Sequence, residues 1–538
     1  MLGLLQRATS NLKNPVTATA WNPSDELAAG FHRFSQVHSL PISSLATFAF
    51  AATGYYAKGT ILFLRRGRDP GDAAESTHHH PPAYDDDRDS KPRVEGEVHV
   101  AVEARTNSEG LYAESRLEPV QGHERCGISL TTPASSSVGR IGASLSYHIT
   151  VTFPDDFDSL DTISVDATSF RVLFDPSLSP IQFSNLDIST TDASIFFEQL
   201  RAKSIQFKNQ NRLDPNKSSL KNFQDLISGT IASADRIEIA CENGPVSGTY
   251  RATGPIIVNN ANFSIKGDFQ GGALRLSTTN AEISGTFEAK RDIVIQNAHG
   301  KIEGTYKAPL GCSIKGIYMP ITASFQVGQD LRLITTVFRI DATIRILAPP
   351  SPVAASSSGA APVTRVESAA TTEDELPTFA DAMASSSTTL GGAVTVVAET
   401  SDAGAELVYE QVPQEVALRS LVRSTGGSVI RVKHGETYEG SFTVSLFSRV
   451  SGPAERTSVL IPVFLPPASF RIKATCPITH TASVSLPSGP TSRGTRSIRY
   501  DVEKRNHIGG VVGYEGSPHE GRSRTVIESG GGAEFVFA

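Results

Sequence analysis

Short runs of alternating apolar and polar residues fill positions 227–345, and they recur about every nineteen residues. One column reads Val246-Ser-Gly248-Thr-Tyr250, Ile265-Lys-Gly267-Asp-Phe269, Ile283-Ser-Gly285-Thr-Phe287, Ile302-Glu-Gly304-Thr-Tyr306, Ile321-Thr-Ala323-Ser-Phe325 and Ile340-Asp-Ala342-Thr-Ile344. Its steps are 19, 18, 19, 19 and 19 residues. A second column runs nine residues earlier: Ile237-Glu-Ile239, Ile256-Ile-Val258, Leu274-Arg-Leu276, Ile293-Val-Ile295, Cys312-Ser-Ile314 and Leu331-Arg-Leu333. A period of two marks strands, and runs this short are not helices. Between the columns stand Asn243, Asn262, Asn280 and His299. Asparagine tolerates the left-handed backbone that tight corners use, which predicts turns there.

Two strands and two corners per nineteen residues define one coil of a β-solenoid. Each coil adds about 4.8 Å, the spacing between neighbouring strands. Equivalent residues then stack in columns and form one continuous core. The Gly/Ala column lies two residues from an aliphatic and, in all coils but the last, two residues from an aromatic. It reads as a small residue that admits a large ring to a narrow coil, or as a bulge. The predicted fold is all-β: a β-helix-like solenoid with coils of about 19 residues, an N-terminal hydrophobic helix and disordered linkers.

Outside its regular part the pattern loosens. Leu186-Asp-Ile188 and Ile205-Gln-Phe207 stand 19 apart, but Ile237 follows 32 residues later, which leaves the polar segment Asn209–Asp225 as an insertion. Residues 96–347 read as solenoid with an N-terminal cap, the cap starting at Val98-His-Val100-Ala-Val102. Open solenoid ends expose strand edges, so a cap is expected. Residues 348–392, rich in Ala, Ser, Pro and Thr, read as a disordered insertion. Alternation returns in 393–538, as in Tyr438-Glu-Gly440-Ser-Phe442, and predicts a less regular continuation of the solenoid.

The N-terminal part has another character. Residues 1–39 read as a disordered tail; Arg7 and Lys13 with no acid before Asp25 give it the composition of a mitochondrial presequence. Leu40–Leu64 carries one charge, Lys58, in 25 residues. That length suits a transmembrane helix, and Arg65, Arg66 and Arg68 would place its end on the cytoplasmic side. The expected location is a single-pass membrane protein, with mitochondrial or cytoplasmic placement as alternatives. Residues 65–95 read as a disordered linker. Within it, Pro81-Pro82-Ala83-Tyr84 matches the PPxY pattern that docks on WW domains as polyproline II. His78–His80 and Asp85–Asp87 are better read as a solvated charge run than as a metal site.

Composition narrows the function. Lys and Arg number 49 against 56 Asp and Glu, a net charge of −7, which argues against a nucleic-acid partner. Four cysteines lie far apart without a CxxC, so neither zinc spacing nor a disulfide framework is expected, and Cys312 reads as a buried thiol. β-Helix enzymes that cut polysaccharides need two or three neighbouring carboxylates. Beside the glycine column the outward positions are Ser247, Lys266, Ser284, Glu303, Thr322 and Asp341 on one side. On the other they are Thr249, Asp268, Thr286, Thr305, Ser324 and Thr343. Acids do not stack on acids there. No catalytic residue, cofactor or metal site is predicted. Asn216-Lys-Ser218 and Asn262-Phe-Ser264 are N-glycosylation sequons.

The strand–turn repeat with its Gly-Thr-aromatic step resembles the uncharacterised "putative adhesin" β-solenoid family over about 160–345 and 393–538. The turns Glu242-Asn243-Gly244 and Thr279-Asn280-Ala281 match its Ser/Thr-Asn-Gly turn only in part. Fungal members of that family often carry a hydrophobic N-terminal segment and a proline-rich linker. The resemblance implies surface adhesion and carries over no functional residue. The sequence thus predicts a non-enzymatic, membrane-tethered solenoid that binds a protein or glycan on its face. The alternatives are a carbohydrate-active β-helix enzyme and a cytosol-facing adaptor that recruits WW-domain proteins.

Overall fold

The computed structural model describes residues 32–43, 46–66, 95–122, 125–134, 143–191, 193–210, 227–348, 393–401, 403–411, 416–424 and 429–434. It also describes the backbone of strands at 22–24, 440–446, 482–485, 496–504, 507–514, 523–529 and 533–537. Two compact units divide the chain. The first comprises Met1–Ala308, Cys312–Ser324 and Ile334–Phe338; the second comprises Pro309–Gly311, Phe325–Leu333 and Arg339–Ala538. Both are built from β-strands, and among the described residues the single α-helix has five residues.

In the first unit the early elements are β1 (Asn22–Ser24), β2 (His32–Ser43), β3 (Thr47–Thr53), β4 (Gly59–Arg65), β5 (Glu95–Thr106), α1 (Glu109–Ala113), β6 (Arg116–Gln121), β7 (Arg125–Thr131) and β8 (Leu145–Phe153). Then come β9 (Ser159–Thr168), β10 (Phe170–Phe174), β11 (Gln182–Thr191), β12 (Ile195–Asn209) and β13 (Ile227–Cys241). The regular coils are β14 (Val246–Arg251), β15 (Pro255–Asn260), β16 (Ile265–Gly271), β17 (Ala273–Thr278), β18 (Ile283–Ala289), β19 (Asp292–Asn297), β20 (Ile302–Ala308) and β21 (Gly311–Gly316).

These strands form two parallel ladders. One runs β8-β4-β10-β12-β13-β14-β16-β18-β20. The other runs β7-β3-β9-β11-β12-β13-β15-β17-β19-β21. Long strands β12 and β13 serve both ladders, one with each half. Registers are exact across coils: Gly229, Gly248, Gly267, Gly285 and Gly304 align, as do Ile237, Ile256, Leu274 and Ile293. The expected β-solenoid is therefore the observed one. Each coil adds about four buried apolar side chains, Ile283, Phe287, Ile293 and Ile295 in one. Each contributes roughly 1.5–3 kcal/mol by leaving water.

A cap is present and is antiparallel. Strands β1, β2 and β5 lie in sequence on the outer edge of β8, and β6 lies on the edge of β7. The cap reaches back to Asn22, inside the segment expected as a tail.

The largest correction concerns Leu40–Leu64. It is not a transmembrane helix: it ends β2 and then forms β3 and β4, a complete coil. That coil lies between β7/β8 and β9/β10. Phe48, Phe50 and Phe63 are buried, and Phe63 stacks on Phe174 at 5.1 Å with Phe48 edge-on at 5.9 Å. Ala49, Leu62 and Leu64 are buried as well as Phe48, Phe50, Ile61 and Phe63, so both faces of these strands are apolar and summed hydropathy does not separate them from a membrane span. The distinguishing feature is Gly54, at φ +103, where a side chain would meet the Thr132 carbonyl. It turns the chain between β3 and β4. No helix among the described residues is long and apolar enough to cross a membrane.

The division between the units falls within β22 (Ile321–Val327) and β23 (Asp330–Thr335); the second unit then holds β24 (Ile340–Ile346), β25 (Ala393–Thr400), β26 (Ala405–Gln411), β27 (Ala417–Ser424), β28 (Ile430–His434) and β29 (Gly440–Leu446). They are followed by β30 (Ala482–Ser485), β31 (Arg496–Lys504), β32 (His507–Tyr514), β33 (Ser523–Ser529) and β34 (Ala533–Phe537). Within this unit the strands form parallel ladders β24-β26-β28-β34-β30 and β25-β27-β33-β29. Antiparallel β32 and β31 then follow β29. The inserted segment 349–392 lies outside the described residues, as does 211–226.

Candidate functional site

Inside each coil of the first unit the aromatic column forms a stack. Ring centroids are 4.8 Å apart for Tyr250–Phe269, 5.4 Å for Phe269–Phe287 and 4.9 Å for Phe287–Tyr306, with planes within 11° of parallel. The glycines of the neighbouring column have φ between +133° and +150°. That conformation is nearly closed to other residues. What demands glycine there is the backbone: the register runs through the column unbroken, without a bulge, and a Cβ on Gly267, Gly285 or Gly304 would meet the carbonyl of the glycine one coil earlier rather than an aromatic ring. The phenols of Tyr250 and Tyr306 donate to the carbonyls of Ser247 and Glu303, at 3.0 and 3.2 Å. In the later coils Ala323 and Ala342 take the position without positive φ.

The asparagine column is not left-handed. Ser169 and Gln199 are the described non-glycine residues with positive φ. Instead the amides bond to one another from coil to coil: Asn262 Nδ2 donates to Asn243 Oδ1 and Asn280 Nδ2 to Asn262 Oδ1, both at 2.8 Å. His299 continues the column by stacking on Tyr318 at 5.1 Å.

A third polar column is buried where the second ladder's strands end. Asn209, Cys241, Asn260, Thr278 and Asn297 share one register, and all five are buried. Asn260 donates to the Gly244 carbonyl at 2.8 Å and Asn297 to the Ala281 carbonyl at 2.7 Å. Thr278 Oγ1 donates to the Phe263 carbonyl at 3.2 Å. Each side chain therefore serves a corner carbonyl that has left the strand ladder.

Next to this column, and facing out, lies an axial groove of about 670 Å³. One of its rows is Lys208, Ala240, Asn259, Ser277, Gln296 and Lys315, one residue per coil. The second is Gln210, Glu242, Ala261, Thr279, Ala298 and Ile317, at the corner. Backbone bonds such as Ala261 to Cys241 and Thr279 to Ala261, each 3.0 Å, hold the corners one above another. Ser277 Oγ donates to Asn259 Oδ1 at 2.8 Å. Lys208 and Lys315 have no ion-pair partner among the described residues. Glu242 is the single carboxylate of the lining, whereas hydrolysis by paired carboxylates needs two.

The outward Ser/Thr columns beside the glycines lie elsewhere on the coil. Lys266 pairs there with Glu282 at 2.9 Å, not with Asp268, and holds the Glu282 carboxyl below its usual range. Lys301 pairs with Glu303 at 2.6 Å. Among the described residues no group of three His, Cys, Asp or Glu could hold a metal ion. Cys126, Cys241 and Cys312 are buried and outside any disulfide, and the Cys241 thiol donates to the Gly244 carbonyl at 3.1 Å. Asn262 of the second sequon is at an exposed corner with its amide in the ladder. Pro81, Pro82, Tyr84 and Asn216 lie outside the described residues, as do His78–His80 and Asp85–Asp87.

No family model and no curated protein matches the chain. It is similar to the solved structure of a "putative cell adhesion protein" from Clostridium sporogenes, at 6% identity over 94% of this chain and 99% of that one, with a TM-score of 0.13. At that score the likeness carries no argument. The resemblance to the "putative adhesin" family is accordingly not shown at family level, and nothing here points to a fungal source.

Proposed function

We propose that this solenoid is a non-enzymatic binding protein with an adhesion-like role, and that the axial groove receives an extended, chain-like ligand. The observation that carries this reading is the row Lys208, Ala240, Asn259, Ser277, Gln296 and Lys315 along one open cleft. A parallel ladder repeats the same hydrogen-bonding position at each coil. Such a row suits a partner that is itself a repeat. Convergent acids or a nucleophile with a base would be needed for chemistry, and the lining supplies neither.

The test is capture on an array of immobilised glycans and peptides, with wild type against the double variant Asn259→Ala/Gln296→Ala. Both side chains are exposed, so the variant should keep the wild-type circular dichroism and melting temperature. Loss of capture in the variant supports the reading. Capture unchanged by the variant would remove the groove from consideration.

A further inference from the structure

Building on that reading, we infer that the groove binds a linear acidic glycan, laid along the solenoid axis with one sugar ring at each coil. Three observations lead there. The first is spacing. Coils rise about 4.8 Å, whereas an extended peptide rises about 3.3 Å per residue and brings a side chain back to the same face only after two. A peptide laid along the axis therefore falls out of step with the row within two coils. A pyranose ring with its linkage is close to one coil in length and stays in step.

The second is the chemistry of the row. Asn259, Ser277 and Gln296 present amide and hydroxyl groups that both donate and accept, which matches sugar hydroxyls. Tyr318, half exposed and stacked on His299, stands next in sequence to the groove residue Ile317 and offers a ring face at that end. Third is charge. Lysines occupy both ends of the row, Lys208 and Lys315, and the rungs between them are neutral. Lys266, Lys301 and Lys307 are held in ion pairs with Glu282, Glu303 and Glu288, whereas Lys208 and Lys315 are not paired among the described residues and line the groove. A carboxylate on a terminal sugar would meet, at each end, an ammonium group that has no ion-pair partner among the described residues. Glu242, on the second row, disfavours a ligand charged on that side.

The row counts six rungs: Lys208, Ala240, Asn259, Ser277, Gln296 and Lys315. Binding should therefore depend on length in a defined way. The experiment is titration of the full chain with oligomannuronates from dimer to decamer, and with neutral oligomannoses of the same linkage. Affinity for the acidic series should climb to the hexamer and then level off. Lys208→Ala and Lys315→Ala should each weaken the hexamer about two- to fivefold, as exposed charge pairs do, and added salt should remove most of the difference. Equal binding of both series, with the lysine variants unaffected, would overturn the acidic-glycan assignment and leave the groove reading in place. So would capture of peptides but no glycan, if Asn259→Ala/Gln296→Ala abolishes it. Affinity that keeps rising past the hexamer would overturn the one-ring-per-coil register. Glycan binding that survives all four substitutions would overturn both readings.

Discussion

The Tyr306 hydroxyl donates to the carbonyl of Glu303, 3.2 Å away, across the glycine between them. Tyr250 makes the same bond to Ser247. The intervening coils carry Phe269 and Phe287, whose rings stack in the same column without a hydroxyl. Phenylalanine is therefore sterically acceptable, and Tyr306→Phe should cost only the hydrogen bond, about 0.5–1.5 kcal/mol. The reverse change, Phe287→Tyr, places a donor opposite the Ser284 carbonyl and should stabilise by a similar amount. Denaturant unfolding of the two variants checks both signs; a loss from each would show that ring packing, not the bond, governs the column.

Gly285→Ala should be far more damaging than an ordinary glycine-to-alanine change. A Cβ there collides with the Gly267 carbonyl oxygen, and the backbone sits at φ +141. The strain alone is about 1–3 kcal/mol. Thermal melting is the measurement, and a variant as stable as wild type would contradict the observed backbone.

The two asparagine columns should respond differently. Asn262→Ala cuts an exposed amide chain and should cost about 0.5–1.5 kcal/mol. Asn297→Ala leaves the Ala281 and Gly300 carbonyls without their donor in a buried corner, and should cost about 1–3 kcal/mol. Asn297→Thr should recover part of that loss, because Thr278 and Thr335 already serve corner carbonyls at this column. Melting temperatures of the three variants rank these effects.

Alkaline pH should weaken the first unit. Burial holds the Tyr250 and Tyr306 phenols well above their ordinary value of 10 and raises the Cys312 thiol above its ordinary 9. Their neutral forms are favoured in the fold, so this contribution is complete below the unfolded values. It declines as the unfolded chain begins to ionise, from about pH 9 for the thiol and about pH 10 for the phenols. Unfolding free energies measured from neutral to alkaline pH should fall across that window, less steeply in Tyr306→Phe/Cys312→Ala.

The coils were legible because each residue of the repeat has one job in every turn. Ile283 and Ile302 are buried in the same register, so an exact period survives in the sequence. The groove was in the same pattern but one step further along each strand. The runs ending at Val258, Leu276 and Ile295 continue into an outward polar residue and then a buried one, Asn259-Asn260, Ser277-Thr278 and Gln296-Asn297. Buried polar residues break the rule that apolar means inside, which hides the end of the strand. The β3–β4 coil was not legible as such, because its alternation is blurred by burial and its partners lie about 80 to 115 residues later in the chain.

That coil changes what the N-terminus is for. The neighbours of residues 47–65 in the stack are two stretches made later, 125–153 and 159–174. Chain order and stacking order therefore disagree at this storey, as they do in the second unit where β33 and β34 lie between earlier strands. A ribosome extruding the chain delivers the filling before the two slices that enclose it, so Phe48 and Phe63 wait without a partner until about a hundred further residues have emerged. Cutting the chain at residue 66 would not trim an end. It would withdraw a floor from the middle of the building and leave the strands above and below to face each other across unmatched side chains.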